Sequence, residues 1–197
     1  AVAKPADIAM NPFPIHLDDA GWLTRARRLA SPNWDERPPH SQIDLLVIHG
    51  VSLPPGEFGG PWIDALFLNR LDPAAHPYFG PIAHLRVSSH LLIRRDGELI
   101  QYVDLTKRAW HAGVSCFAGR ERCNDFSIGI ELEGADEIAY EPVQYQVLAV
   151  TSRCLMRHFP AITPERIVGH SDIAPGRKTD PGPAFDWALY RQLLAAA

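Results

Sequence analysis

Lysine is nearly missing from this 197-residue sequence: it occurs only as Lys4, Lys107 and Lys178, against sixteen arginines. Generic surface charge is left to arginine, so a lysine inside a motif points to a task for a compact ammonium rather than a guanidinium fork. Cysteine is scarce as well. Cys116, Cys123 and Cys154 are odd in number and lack CxxC spacing, which argues against a disulfide framework and fits reduced thiols in a cytosolic enzyme. There is no excess of positive charge: the net charge is -4, and neither charge runs nor repeats occur, so no basic field argues for nucleic acid. No apolar run is long enough for a membrane segment, and residues 1–14 hold three prolines and no h-region, so neither a membrane anchor nor a signal peptide is expected. With 46% hydrophobic residues the chain can build one substantial core, giving a loose arm over 1–20 and one domain over 21–197.

What is present reads as alternating strands, helices and shaped loops. Residues 21–29 fit a short helix or a strand, and 31–42, with Pro32, Pro38 and Pro39, a surface connection. Residues 43–48 form an apolar run with the length and branching of a buried central strand, ending at His49-Gly50. Helical spacing follows over 62–71, then a long irregular segment over 72–85 that can wall a cleft. Two strands, 88–94 and 98–103, flank Asp96-Gly97, a strong hairpin signal. Residues 126–132 alternate toward a buried strand, on which Ser127, Gly129, Glu131 and Glu133 share one face and Ile128, Ile130 and Leu132 the other. The glycine leaves room above the sheet. Residues 142–159 form a helix by the spacing of Val143, Val147, Val150 and Leu155, with Pro142 in its first turn and Pro160 after its end. A short strand at 167–168 leads to His170, and 186–194 closes the chain as an amphipathic helix.

The chemistry concentrates in residues 168–182. This stretch holds His170, Asp172, Lys178 and Asp180 among Gly169, Gly176, Gly182, Pro175 and Pro181, which forbid a continuous helix and force a shaped loop. His49 and His170 both stand at the ends of apolar strands, where open α/β sheets place their sites. Two imidazoles and the Asp180 carboxylate are a usual set of three protein ligands for a catalytic zinc. Spacing alone leaves His84, His90 and His111 as competitors, since the chain has nine histidines.

Several segments together carry a resemblance: His49 after an apolar strand, Trp110-His111-Ala112-Gly113, residues 127–134, Gly169-His170-Ser171-Asp172-Ile173-Ala174-Pro175, and Arg177-Lys178-Thr179-Asp180-Pro181-Gly182. In their order and content they resemble the zinc N-acetylmuramoyl-L-alanine amidases, and among these the AmpD type, which acts on 1,6-anhydromuramyl peptides in bacterial cell-wall recycling. The match runs from about Gly21 to Trp187 and includes residues 52–58 and 69–73. It implies an α/β (α+β) single domain with a mixed central β-sheet flanked by helices, as in phage lysozyme-type amidases and peptidoglycan recognition proteins. It implies one Zn2+ per chain on His49, His170 and Asp180, catalytic roles for Glu131 and Lys178, and contacts from Arg86, Arg122, Ala174 and Arg177 to the peptide and sugar of a muropeptide. Two positions depart from the pattern. Gly50 stands where the family has an asparagine that grips the muramyl group, and Ser89 lies in the region where phage-type relatives carry a catalytic tyrosine, leaving that work to Glu131.

Elementary chemistry agrees with these roles. An amide needs a nucleophile, stabilisation of developing charge and a proton for the departing nitrogen. A carboxylate such as Glu131 can move the proton, and an ammonium such as Lys178 can face the oxyanion. The expected partner is a small muropeptide, with no nucleic acid, membrane or obligate protein partner, and the expected location is the bacterial cytoplasm. Two other readings remain at this level: a peptidoglycan-binding module without catalysis, which predicts a missing metal ligand, and a zinc peptidase acting on stem peptides.

Overall fold

A computed structural model describes residues 14–196. In chain order its elements are β1 (Arg27–Arg28), β2 (Trp34–Asp35), β3 (Leu45–Val51), α1 (Trp62–Phe67), β4 (Leu91–Ile93), β5 (Leu99–Gln101), β6 (Arg108–Ala109), β7 (Cys116–Phe117), β8 (Arg120–Glu121), β9 (Ser127–Glu133), α2 (Pro142–His158), β10 (Ile167–Gly169), α3 (His170–Ile173) and α4 (Trp187–Ala195). Six strands form one sheet in the order β1-β5-β4-β9-β3-β10. The sheet is mixed: β10, β3, β9 and β4 run parallel in sequence, and β4 and β5 are antiparallel. The single domain expected from the sequence, a mixed sheet flanked by helices, is the fold observed.

Alternation along the central strands decides what each face carries. Leu46 and Ile48 on β3, with Ile128, Ile130 and Leu132 on β9, pack in one apolar cluster with Tyr145, Leu148 and Leu155 of α2 and Tyr190 and Leu194 of α4. The residues between them point the other way, Leu45 and Val47 toward Ala112, Cys123, Phe126 and Ile173, and Leu92 of β4 toward Ile63, Leu66 and Phe67 of α1. Parallel strands covered on both faces read as continuous apolar runs, which is why residues 45–48 are all fully buried. His49 continues the Leu45–Val47 parity, so it falls on the face away from α2 and α4, paired in register with Glu131. The long helices α2 and α4 seal one face, and α1, α3 and loops cover the other.

Several boundaries differ from expectation. Of the arm expected over 1–20, residues 1–13 lie outside the described residues; in the rest, Ile15 is 6% exposed within the main core and Leu17 bridges Leu23, while His16 and residues 18–20 are exposed. Residues 21–29 are mostly turns with β1 at their end. α1 stops at Phe67 rather than 71: Asn69 takes a left-handed conformation (φ 60°) and Arg70 N–H turns back to Ala65 O. α2 is found as expected, but its buried face is centred on Tyr145, Leu148, Ser152 and Leu155 instead of the valines. Val143 and Val147 lie at the flank, against the hairpin turn at Gly97, whose φ of +88° and tight contact to Val143 both require glycine.

Candidate active site

β3 and β9 lie side by side, so His49 and Glu131 are delivered next to each other near the carboxyl ends of two parallel strands. β10 is the other neighbour of β3, and His170 follows its last residue directly, opening α3. The loop after α3 then returns to the same place. Ser171 N–H donates to Asp180 O, the amides of Arg177 and Lys178 both donate to Ala174 O, and Thr179 Oγ1 donates to Asp136 Oδ2. Tyr140 Oη donates to Pro181 O at 2.8 Å. These bonds pin the loop that the glycines and prolines shape, and they bring Asp180 to the two histidines.

His49 Nδ1 lies 3.0 Å from His170 Nδ1 and 3.2 Å from Asp180 Oδ2, and His170 Nδ1 is 3.3 Å from the same oxygen. His49, His170 and Asp180 form a group that can hold a metal ion. Donors at 2.0–2.1 Å around a tetrahedral zinc stand about 3.3 Å apart, so the spacing fits. The chemistry of the donors fits too. His170 Nε2 faces the carbonyl of Ala112 at 3.0 Å, which accepts only, so in a neutral ring the proton sits on Nε2 and Nδ1 presents a lone pair to a carboxylate. A cation placed among these buried acceptors would offset their mutual repulsion. The other histidines are placed differently. His90 uses both ring nitrogens, Nδ1 accepting from Gly129 N–H at 3.1 Å and Nε2 donating to Lys107 O at 2.8 Å, and His84 is exposed. His111 lies behind His49, its Nδ1 2.8 Å from His49 Nε2.

Glu131 stands apart from the other carboxylates. Its side chain is 12% exposed, Oε1 is 3.8 Å from His49 Nδ1, and Oε2 is buried with no hydrogen-bond partner among the described residues. A buried oxygen left unpaired is rare and calls for an explanation such as a catalytic role. Burial, and then the charge of Asp180, push its carboxyl well above the ordinary carboxylate range, against the opposing pull of Lys178. Glu133, two residues on, is the contrast: Oε2 takes Gly59 N–H and Arg94 Nη1, and Oε1 takes Arg95 N–H. One glutamate of this strand is fully bonded, and the other is not. Lys178 is exposed on the pinned loop and makes no ion pair among the described residues, yet its charge reaches both Glu131 and His49.

The other expected contacts are spread around the rim. Arg177 Nη2 donates to Ala112 O at 2.6 Å and Val114 O at 2.8 Å, so it shares the Ala112 carbonyl with His170. Ala174 is buried, its N–H donating to His170 O. Arg122 is exposed at a left-handed position (φ 57°) between β8 and β9. Arg86 lies on a separate loop, its Nη1 donating to His84 O at 3.2 Å. Ser89 is fully buried, with Oγ donating to Leu91 O. At Gly50 a Cβ would come within 2.2 Å of Tyr140 Oη, so with Tyr140 in this place no side chain fits there.

Residues 39–183 match the family model described as N-acetylmuramoyl-L-alanine amidase. The chain belongs to the N-acetylmuramoyl-L-alanine amidase family. This amidase is 64% identical to the 1,6-anhydro-N-acetylmuramyl-L-alanine amidase AmpD of Salmonella typhimurium (strain SL1344) over 179 residues, which cover 91% of this chain and 95% of that protein. Its fold superposes on the crystal structure of a Se-Met AmpD derivative with a TM-score of 0.87 at 64% identity, covering 89% of this chain and 98% of the other. A more distant match, 29% identical with a TM-score of 0.57 and covering 91% of this chain and 65% of the other, is the E. coli amidase AmiD in complex with the substrate anhydro-N-acetylmuramic acid-L-Ala-D-gamma-Glu-L-Lys. The amidase is a hydrolase, and among the described residues no helix is long and apolar enough to cross a membrane.

Proposed function

We propose that this amidase cleaves the amide between the lactyl carbonyl of 1,6-anhydro-N-acetylmuramic acid and L-alanine of a soluble stem peptide, as a step in peptidoglycan recycling, with one zinc ion per chain held by His49, His170 and Asp180. The observation that carries the reading is the unpartnered Glu131 carboxylate beside three convergent donors. When bound, zinc supplies a Lewis acid and lowers the pKa of a coordinated water from 15.7 to about 7. Glu131 Oε2, free of other bonds, takes the water proton and hands it to the departing alanine nitrogen, a general acid-base contribution of roughly 10²–10⁴-fold. Lys178, unpaired at the rim, is available to the oxyanion. Backbone bonds in the loop from Ala174 to Gly182 fix where the Lys178 side chain starts relative to Asp180.

Arg122, Arg86 and Arg177, with the Ala174 backbone beside His170, are the groups we assign to substrate. Guanidinium forks suit the carboxylates of a short stem peptide, and Arg177 keeps part of its fork for the loop that carries Ala112. The free thiols of Cys116, Cys123 and Cys154 suit a reducing, cytoplasmic setting. The test is product analysis by mass spectrometry, with kcat/KM compared for matched anhydromuramyl and reducing-end muramyl tripeptides and for purified sacculi. Free anhydromuramic sugar plus intact peptide is expected, with soluble anhydro substrate preferred. Equal or faster cleavage of polymer would assign the chain to wall remodelling, and cuts within the peptide would make it a peptidase. In the same assay Lys178→Ala is expected to lower kcat by about 10²-fold while KM changes much less, as befits a group used mainly in the transition state.

A further inference from the structure

We infer that His111 is a positioning residue for the metal site, and that the line Ser127–His111–His49 sets which nitrogen of His49 faces the metal. The inference rests on the zinc assignment proposed above. His49 is 1% exposed, and its Nε2 lies 2.8 Å from His111 Nδ1; His111 Nε2 lies 3.0 Å from Ser127 Oγ. Each neutral imidazole has one N–H and one lone pair. If His49 donates from Nε2 to His111 Nδ1, the proton of His111 sits on Nε2 and points at the serine hydroxyl, and Nδ1 of His49 presents its lone pair toward His170 and Asp180. If the line runs the opposite way, His49 carries its proton on Nδ1 and cannot ligate. A cation at Nδ1 and an acceptor at His111 therefore support each other.

The surroundings are built for this ring. A Cβ at residue 129 would come within 2.6 Å of His111 Cγ and Nδ1, so the ring lies directly on the bare backbone of β9 at Gly129. Asn124 Oδ1 accepts from the N–H groups of both His111 and Ala112, at 3.1 and 2.8 Å. The carbonyl of Asn124 is in turn held by Arg37 Nη1, whose side chain also spans Leu105 O and Thr106 O. The same Ala112 offers its carbonyl to His170 Nε2. One short segment, residues 111–112, thus orients both imidazoles of the cluster, through a ring nitrogen for His49 and through a backbone oxygen for His170.

The test is zinc affinity, read by competition against a chromophoric chelator on the zinc-loaded protein, with thermal melting at saturating zinc and the visible spectrum of the cobalt-substituted protein alongside. His111→Phe keeps the ring and removes both nitrogens, and is expected to bind zinc about 10–100-fold more weakly with an altered cobalt spectrum. His111→Asn returns an acceptor near the Nδ1 position and is expected to recover most of the loss, which a role in packing alone does not predict. Ser127→Ala, remote from the metal, is expected to weaken zinc in the same direction by less. A folded His111→Phe with wild-type affinity overturns the inference; should that variant not fold, an unchanged affinity in both Ser127→Ala and His111→Ala does so. Absence of zinc binding by the wild-type chain instead overturns the proposed metal site and leaves the packing of residues 111–112 as it stands.

Discussion

Glu131→Gln is expected to lower kcat by about 10²-fold or more while zinc content, melting temperature and KM stay close to those of the parent. The exchange keeps the size of the side chain and its place on β9 opposite His49, so nothing in the packing around Leu92 and Gly129 changes. What changes is basicity. Oε2 has no hydrogen-bond partner and is shielded from solvent, so its proton affinity is available to chemistry instead of being spent on a structural bond. Glu133→Gln supplies the internal control, because that carboxylate is buried in an ion pair with Arg94 at 3.2 Å and accepts two backbone N–H groups. Its loss is expected to appear as lower stability, since a buried charge-assisted bond is lost and Arg94 keeps only Asp64, at 3.4 Å, as an acidic partner. Near-normal turnover in Glu131→Gln, measured with a soluble anhydromuramyl tripeptide, removes Glu131 from the mechanism.

The difference between these two glutamates was only half legible in the sequence. Alternation along residues 127–133 shows that both lie on one face and that Gly129 leaves space, yet nothing in the pattern tells that Arg94 and the Phe58–Gly59 turn reach Glu133 and spare Glu131. The strands that carry the site were readable because burial on both faces makes β3 a continuous apolar run, and because glycine and proline punctuate the loop after His170. Helix faces were less so: valines in α2 look like a core stripe, while the chain buries Gln144 and Ser152 against Ile93 O and Tyr190 Oη, partners that only the tertiary structure provides. His111 shows the same limit at the site. His49 and His170 stand out in the sequence by their place at strand ends, but spacing alone does not set His84, His90 and His111 aside. Their separation into donors of the cluster, a support and a core residue depends on where each second ring nitrogen goes, a property of contacts between segments far apart in sequence. The room that Gly129 leaves above the sheet is filled by the His111 ring.

Removal of the metal is expected to give the second large effect. Treatment with a strong chelator, or the substitution His170→Ala, should lower kcat/KM by about 10³-fold or more, since the nucleophile then reverts toward ordinary water. Zinc should restore the chelated parent and fail to restore the variant at stoichiometric concentration. His170 is the informative position because its two nitrogens have separate duties, Nδ1 within the cluster and Nε2 on the Ala112 carbonyl. Alanine removes both, leaving His49 and Asp180 as a pair, with Asp180 Oδ2 still held by Gly50 N–H at 3.3 Å. Two donors hold zinc far less well than three, so elemental analysis of the purified variant should show much less than one zinc per chain. Asp180→Asn separates charge from shape at the same cluster. It keeps an oxygen within reach of Gly50 N–H but gives up the negative charge that offsets the cation, so zinc should bind more weakly than in the parent and activity should recover as zinc is raised. Full zinc retention by His170→Ala, judged by elemental analysis after extensive dialysis, would mean that His49 and Asp180 recruit a different third donor, and His111, 2.8 Å from His49 Nε2, is the residue to replace next.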